Sequence, residues 1–274
     1  MQEDVQMKLM YLGTAAAEGV PAVFCNCEKC VYARKVGGKE IRTRSGALVD
    51  DFLKIDMPAD GYMQSLLHGL DYSKLDHILI THTHEDHYCV LELNNRRKPF
   101  SQKAKTEKPL TVYGSIQAEA MIHPMLEEGV LEFKVLTAYE PVKIEDYTVT
   151  PLPAVHAFNE QAFFYLIEKG DKALLYCHDT DEFTDEHIEF LKTKKVTMVS
   201  LDCTNGVLEM DYVGHMGISD NLRMKEKLIS IGTADENTIF IANHFSHNGV
   251  APYEELQKRL PGFLVSYDGM TVED

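Results

Sequence analysis

His77-Ile78-Leu79-Ile80-Thr81-His82-Thr83-His84-Glu85-Asp86-His87 is the stretch on which the fold turns. Its first half is apolar between polar bounds, as in a buried strand. His82 and His84 stand two apart, so in extended chain they project to one side. Asp86 and His87 then fall in the turn beyond the strand. Three imidazoles and a carboxylate at one strand end suit divalent cations. With partners from elsewhere in the chain they serve two adjacent ions. A polar loop of no function would rarely gather them within six residues.

Outward from this stretch, strands come first and then alternate with helices. Apolar runs at residues 8–12 and 110–113 read as strands, and 47–49 with 52–55 reads as a hairpin. Residues 131–136 and 142–152 are further strand expectations, and 162–168 with 173–177 flanks a Lys169-Gly170-Asp171-Lys172 turn. Strands are also expected at 196–201, 238–242 and 264–267. Helices are expected at 115–128, 184–191, from Ser219 as N-cap to Ile231, and from Pro252 to Leu260. Many strands with interspersed helices imply helices covering two packed sheets. No long linker or low-complexity tract interrupts the chain, so a single domain over residues 1–274 is expected.

Composition narrows the function. Apolar residues make up 45% and charged residues 26%, which is ordinary for a globular protein, and no apolar run approaches the length of a membrane helix. The polar, acidic N-terminus lacks the pattern of a signal peptide, so a cytoplasmic location is expected. The formal net charge of −16 repels polyanions and disfavours general nucleic-acid binding. Against that balance, Arg96, Arg97, Lys98, Lys103, Lys105 and Lys108 cluster with only Glu107 opposing them. They form either a solvated loop or an anion-attracting flap near the metal motif.

The T-H-x-H-x-D-H pattern after an apolar strand resembles the metallo-β-lactamase superfamily, whose fold is an αβ/βα sandwich of two packed mixed sheets flanked by helices. Later segments arrive in that family's order: Pro151 to His156, Tyr176-Cys177-His178-Asp179, and Ile241 to His244. The resemblance implies that His82, His84 and His156 hold one metal, that Asp86, His87 and His244 hold a second, and that Asp179 bridges them. It further implies hydrolysis by a hydroxide held between two divalent ions; Zn, Mn, Fe and Ni all suit such ligands. His84 stands where flavodiiron oxidoreductases of this fold carry glutamate, which favours hydrolysis over redox chemistry. Asp56 resembles the family's aspartate that orients metal ligands, or is simply a strand-end aspartate.

Cys25, Cys27 and Cys30 have C-x-C-x2-C spacing. Three thiolates so close suit a tetrahedral structural zinc that needs a fourth ligand, for which His247 is the candidate. Within the superfamily this combination resembles the PhnP-like phosphoribosyl cyclic phosphate phosphodiesterase group. Leu12-Gly13-Thr14, Gly19-Val20-Pro21 and Asp268-Gly269-Met270 match that group as well. There a histidine near the position of His215 lies beside the metals without ligating them, and assists the leaving oxygen; a loop histidine without function is the plainer alternative. His68, His77, His123, His178 and His187 read as structural or surface residues, and Cys89, Cys177 and Cys203 as buried thiols.

The expected function is therefore a dinuclear metal-dependent phosphodiesterase. Its substrate is expected to be a small anionic, cyclic or strained phosphodiester, with Asp179 and His215 in the chemistry. Alternatives on the same motif are a tRNase Z-like nuclease, a lactone or β-lactam hydrolase, and a non-catalytic metal-binding scaffold. No membrane partner is expected, and a homodimer is left open.

Overall fold

A computed structural model describes residues 6–210 and 214–274. Residues 1–5, part of the N-terminus on which the leader argument drew, lie outside them. Strands β1 (Lys8–Gly13), β2 (Gly46–Val49), β3 (Leu53–Ile55), β4 (His77–Leu79), β5 (Leu110–Gly114) and β6 (Leu131–Val135) lie side by side in chain order. Strands β7 (Val142–Ile144), β8 (Tyr147–Pro153), β9 (Phe163–Lys169), β10 (Lys172–Cys177), β11 (Met198–Asp202), β12 (Ile239–Asn243) and β13 (Leu264–Val265) form a second sheet, also in order. Strand β14 (Thr271–Glu273) returns to pair antiparallel with β1. Each sheet is mixed. β1 to β3 and β7 to β10 are antiparallel meanders, while β3 to β6 and β10 to β13 run parallel.

Residue alternation sets the layers. On β9, Phe163, Tyr165 and Ile167 face the other sheet, and so do Leu174 and Tyr176 of β10; they pack with Leu9, Val49, Ile55 and Leu79 of the first sheet. Phe164, Leu166, Leu175 and Cys177 point the opposite way, under helices. Those helices are α5 (Asp185–Leu191), α6 (Ile218–Ser230) and α7 (Tyr253–Arg259), which add Leu191, Met224, Leu228 and Leu256 to that layer. The far face of the first sheet, with Leu48, Ile78, Ile80 and Val112, is covered by α4 (Ile116–Ile122) through Ala118 and Ile122. This is the expected αβ/βα sandwich.

Several local expectations are corrected. Residues 142–152 are not one strand, because Glu145, with φ of 51°, turns the chain between β7 and β8. The helix expected at 115–128 stops at Ile122 and gives way to a 3-10 turn at His123–Met125, where Pro124 cannot donate to the helix. Helix α6 is capped at Gly217 rather than Ser219; Gly217 N–H donates to Asp220 Oδ2 at 2.6 Å. Helices α1 (Glu28–Val36), α2 (Gly61–Leu67) and α3 (Val90–Asn94) were not anticipated. Only Cys30 and Ala33 of α1 are buried, too little apolar surface to show in a periodicity.

The basic stretch is not a flap over the metal motif. Lys105 pairs with Asp71, Lys108 with Glu145 and Arg97 with Glu127, at the amino ends of β4, β8 and β6. The motif follows the carboxyl end of β4, at the opposite end of the parallel strands from these pairs, and the neighbouring β5 and β6, five residues each, span about 16 Å. Reversing Arg96, Arg97 and Lys98 to Glu is therefore expected to leave KM unchanged at physiological salt, where fields are screened over about 8 Å. Steady-state kinetics check this; a raised KM would restore the flap.

Candidate metal centre

Five strands deliver their next residues to one edge of the sandwich. β4 leads to residues 81–87, β8 to His156, β10 to Asp179, β11 ends on Asp202, and β12 leads to His244. Asp56, Asp179 and His244 hold positive φ of 59°, 49° and 63°. Such conformations are costly for side chains with a Cβ and gather where function requires them.

The expected ligands meet there in overlapping groups, each with its ligand atoms within 4.8 Å of one another. One group is His82, His84 and His156. His84 Nδ1 lies 2.9 Å from His82 Nε2 and 3.2 Å from His156 Nε2. Another is Asp86, His87 and His244, in which His87 Nε2 lies 3.2 Å from both His244 Nε2 and Asp86 Oδ2. Asp179 stands between the groups. Its Oδ2 is 2.6 Å from His87 Nε2 and 3.1 Å from His244 Nε2, and its Oδ1 is 3.8 Å from His156 Nε2.

The far ring nitrogens are held from behind. His87 Nδ1 donates to Asp56 Oδ2 at 2.6 Å, and His156 Nδ1 to the Gly214 carbonyl at 3.1 Å. Thr81 Oγ1 donates to both Asp56 oxygens, which leaves it to accept from His82 Nδ1 at 3.0 Å. Thr204 Oγ1, likewise bonded to Asp202, accepts from His244 Nδ1 at 2.7 Å. These partners set the tautomer, so that the Nε2 lone pairs of His82, His87, His156 and His244 point inward.

Lone pairs aimed at each other at hydrogen-bond distance need something positive between them. Asp179 Oδ2 is buried and makes no well-formed hydrogen bond despite its two imidazole neighbours. A divalent cation in each group would satisfy these atoms, and the N/O donor set fits one. The charges agree. Burial opposes protonation of His87, but Asp179, Asp86 and Asp56 outweigh it and raise its pKa well above the imidazole range. Burial likewise opposes ionisation of Asp179, but His244 and His87 hold it well below the carboxylate range.

Asp202 was not singled out from the sequence. It is fully buried and accepts from Asp179 N at 3.0 Å, Met216 N at 3.1 Å and Thr204 N at 2.9 Å. Its place at the end of an apolar run, like that of Asp179, is the signal that could have found it. His215 reaches the centre through it. His215 Nδ1 lies 3.1 Å from Asp202 Oδ2 and 3.4 Å from Asp179 Oδ1, and its ring is 4.8 Å from that of His156. Burial disfavours the charged ring, but Asp202 and then Asp179 raise its pKa to about 9. The loop is fastened by Asn205, which donates to the His215 carbonyl, and by Asn221, which ties the start of α6 to the Asp202 carbonyl.

The second cluster is also assembled. Cys25, Cys27, Cys30 and His247 bring their ligand atoms within 4.8 Å of one another. His247 Nδ1 lies 3.6 Å from Cys27 Sγ and 3.5 Å from Cys30 Sγ. A tetrahedral zinc with bonds of 2.3 Å spaces its sulfurs by about 3.8 Å, so this set fits the ion. Hydrogen bonds from the Cys30 backbone and from His247 pull the Cys27 thiol down to about 6, whereas burial pushes Cys30 up to about 11.

The remaining expectations divide. His178 lies buried between the sheets, 2.8 Å from Ser200 Oγ, and His187 accepts from Thr184 N at the start of α5. Cys177 and Cys203 are buried, but Cys89 is only half-buried, because it leads into the short helix α3 at the surface.

Fold and centre together define the class: two facing mixed sheets with an edge built to hold divalent metals, as in metal-dependent hydrolases. Residues 57–234 match the beta-lactamase superfamily domain, and the chain belongs to that family. The octanoyltransferase of Porphyromonas gingivalis (strain ATCC BAA-308 / W83) is 26% identical over 273 residues, 96% of this chain. The chain spans about half the length of that curated relative, 51%. Among solved structures, a diphosphatase of the PhnP family superposes with a TM-score of 0.76 at 23% identity over 97% of each chain. Zn2+-bound PqqB from Methylobacterium extorquens superposes at 0.75 with 16% identity, over 97% of this chain and 99% of its own. At these identities the structural likeness shows the fold.

Proposed function

We propose that the protein is a dinuclear metal-dependent phosphodiesterase acting on a small anionic, cyclic or strained phosphodiester in the cytoplasm. The observation that carries this is the position of Asp179 between the two ligand groups, with His215 beside it. His82, His84 and His156 would hold one ion, Asp86, His87 and His244 the other, and Asp179 would bridge them. Two bound cations supply charge neutralisation at the phosphate and an acidified water. Asp56, Thr81 and Thr204 keep the imidazoles oriented, and Asp202 holds the His215 ring by Nδ1. His215 would then give a proton to the departing alkoxide. The Cys/His cluster and the likeness to a PhnP-family diphosphatase favour a phosphoester over a lactone.

The test is a screen of Mn2+-reconstituted protein against bis(p-nitrophenyl) phosphate, small cyclic phosphodiesters, a lactone and a tRNA precursor. Turnover of the small phosphodiesters is expected. Turnover of the lactone or the tRNA precursor alone would replace this reading, and metal binding without any turnover would leave a scaffold.

The cysteine cluster is proposed to hold a separate zinc that stays when the metals of the centre are exchanged, since thiolates favour Zn2+ over Mn2+. It would clip the loop before α1 to the segment that follows His244. Cys27→Ser is expected to lose one tightly bound zinc, to lower Tm, and to reduce activity indirectly through a loosened His244. Elemental analysis and thermal melts check this; intact free thiols in the native protein, with no sulfur-bound zinc, would sink it.

A further inference from the structure

A groove runs from the metal centre past Arg44. Its inner part, about 230 Å3, is lined by Asp86, Glu85, Ala17, Ala59 and Arg44. Its outer part, about 660 Å3 and open to solvent, is bounded by Arg44, Glu18, Val23 and Phe24. Arg44 is common to both parts.

The guanidinium is held in place. Nε donates to the Ala17 carbonyl at 2.7 Å, and Nη1 to Asp60 Oδ1 at 2.9 Å. Asp60 Oδ2 accepts from the backbone N–H of Arg44 itself, so one carboxylate fixes both ends of the residue. Among the described residues Nη2 makes no hydrogen bond. The side chain keeps 28% exposure. A fixed, partly free guanidinium beside a metal edge is prepared for an anionic oxygen.

Phe24 is fully exposed and Val23 is 66% exposed. They do not sit on a slack loop. Cys25 N donates to the Ala22 carbonyl at 3.1 Å, and Arg34 Nη2 donates to the carbonyls of Ala22 and Cys25 at 3.2 and 2.8 Å. Cys25 also belongs to the cysteine cluster. The turn thus holds an aromatic face out in water beside an anion-seeking group. Glu85 adds a carboxylate to the inner wall, and Glu18 adds its Oε2 to the outer one, its Oε1 already accepting from Ser246 Oγ and His247 N. Glu85 lies with Asp86 on the inner side of Arg44, and Glu18 with Phe24 on the outer side. An anionic oxygen at Arg44, hydroxyls at the carboxylates and a flat ring on Phe24 together make up a nucleotide.

We propose that this groove is the ester-group subsite and that it selects phosphodiesters of nucleosides, an inference that rests on the phosphodiesterase reading above. Arg44 Nη2 takes a phosphate oxygen, Glu18 and Glu85 accept from sugar hydroxyls, and the base stacks on Phe24. Stacking of one base on one aromatic side chain changes affinity by roughly 5- to 100-fold.

The test is calorimetric binding of adenosine 5′-monophosphate and ribose 5-phosphate to metal-loaded protein, which needs no turnover. Wild type is expected to prefer the nucleotide. Phe24→Ala should weaken the nucleotide roughly 5- to 100-fold and leave the sugar phosphate unchanged; a residue so exposed can be replaced without unfolding the chain. Arg44→Gln should weaken both ligands, and Arg44→Lys should recover part of the loss. Equal affinities in wild type, or equal weakening of both ligands by Phe24→Ala, would overturn the proposal. If nucleotide preference follows Phe24 while no phosphodiester is hydrolysed, the groove stands and the phosphodiesterase reading fails. If phosphodiesters are hydrolysed while Phe24→Ala leaves both affinities unchanged, the groove fails alone.

Discussion

Asp179→Ala is expected to abolish turnover, with a loss of roughly 100-fold or more, equivalent to about 2.7 kcal/mol of transition-state stabilisation. Asp179 is buried, and its two oxygens face His87 and His244 on one side and His156 and His215 on the other. Alanine removes the carboxylate that, among the described residues, touches both ligand groups. It also leaves His87 and His244 facing each other at 3.2 Å with less negative charge to hold a cation between them. Activity and metal stoichiometry should therefore fall together, measured by kinetics and elemental analysis on the same sample. Near-normal activity with full metal content would place the bridge elsewhere. Asp202 is then the residue to examine, since it lies in the same cluster as His215 and His244.

His215→Ala is expected to keep the metals and lower kcat by roughly 10²- to 10⁴-fold on a substrate with a poor leaving group, the usual scale of general acid help. His215 Nδ1 lies 3.1 Å from Asp202 Oδ2, and His215 is a member neither of the His82, His84 and His156 group nor of the Asp86, His87 and His244 group. Its removal opens space at the mouth without taking away a member of those groups. A substrate that releases p-nitrophenolate leaves without a proton and should lose much less. An equal loss on both substrates would mean that His215 positions or neutralises the phosphate instead, and loss of a metal ion would make it a ligand.

Much of the centre was legible because its ligands are punctuation marks on buried strands. His82, His84, Asp86 and His87 end an apolar run, and Asp179 and His244 follow two others. An apolar run that stops at a histidine or an aspartate can be read along the chain, since alternation and burial are local properties. Asp202 obeys the same rule but ends its strand without a histidine beside it, so nothing marked it out. The basic stretch misled for a related reason. It follows the metal motif closely in sequence, yet α3 carries the chain back to the start of β5, where Asp71, Glu127 and Glu145 receive its charges.

The sequence by itself determined the layering of strands and helices and the two sets of metal-seeking side chains. Each of these is written in strand periodicity or in the chemistry of donor atoms. Only the tertiary structure decided which way the ring nitrogens face, where the basic loop lies, and that Arg44 and Phe24 border one groove beside Asp86. Those features depend on residues far apart in the chain. Asp60 turns Arg44 by an ion pair, and His247, 220 residues away, meets the cysteines that hold the Phe24 turn. Such contacts form when two sheets close on a common core, and no local pattern records them.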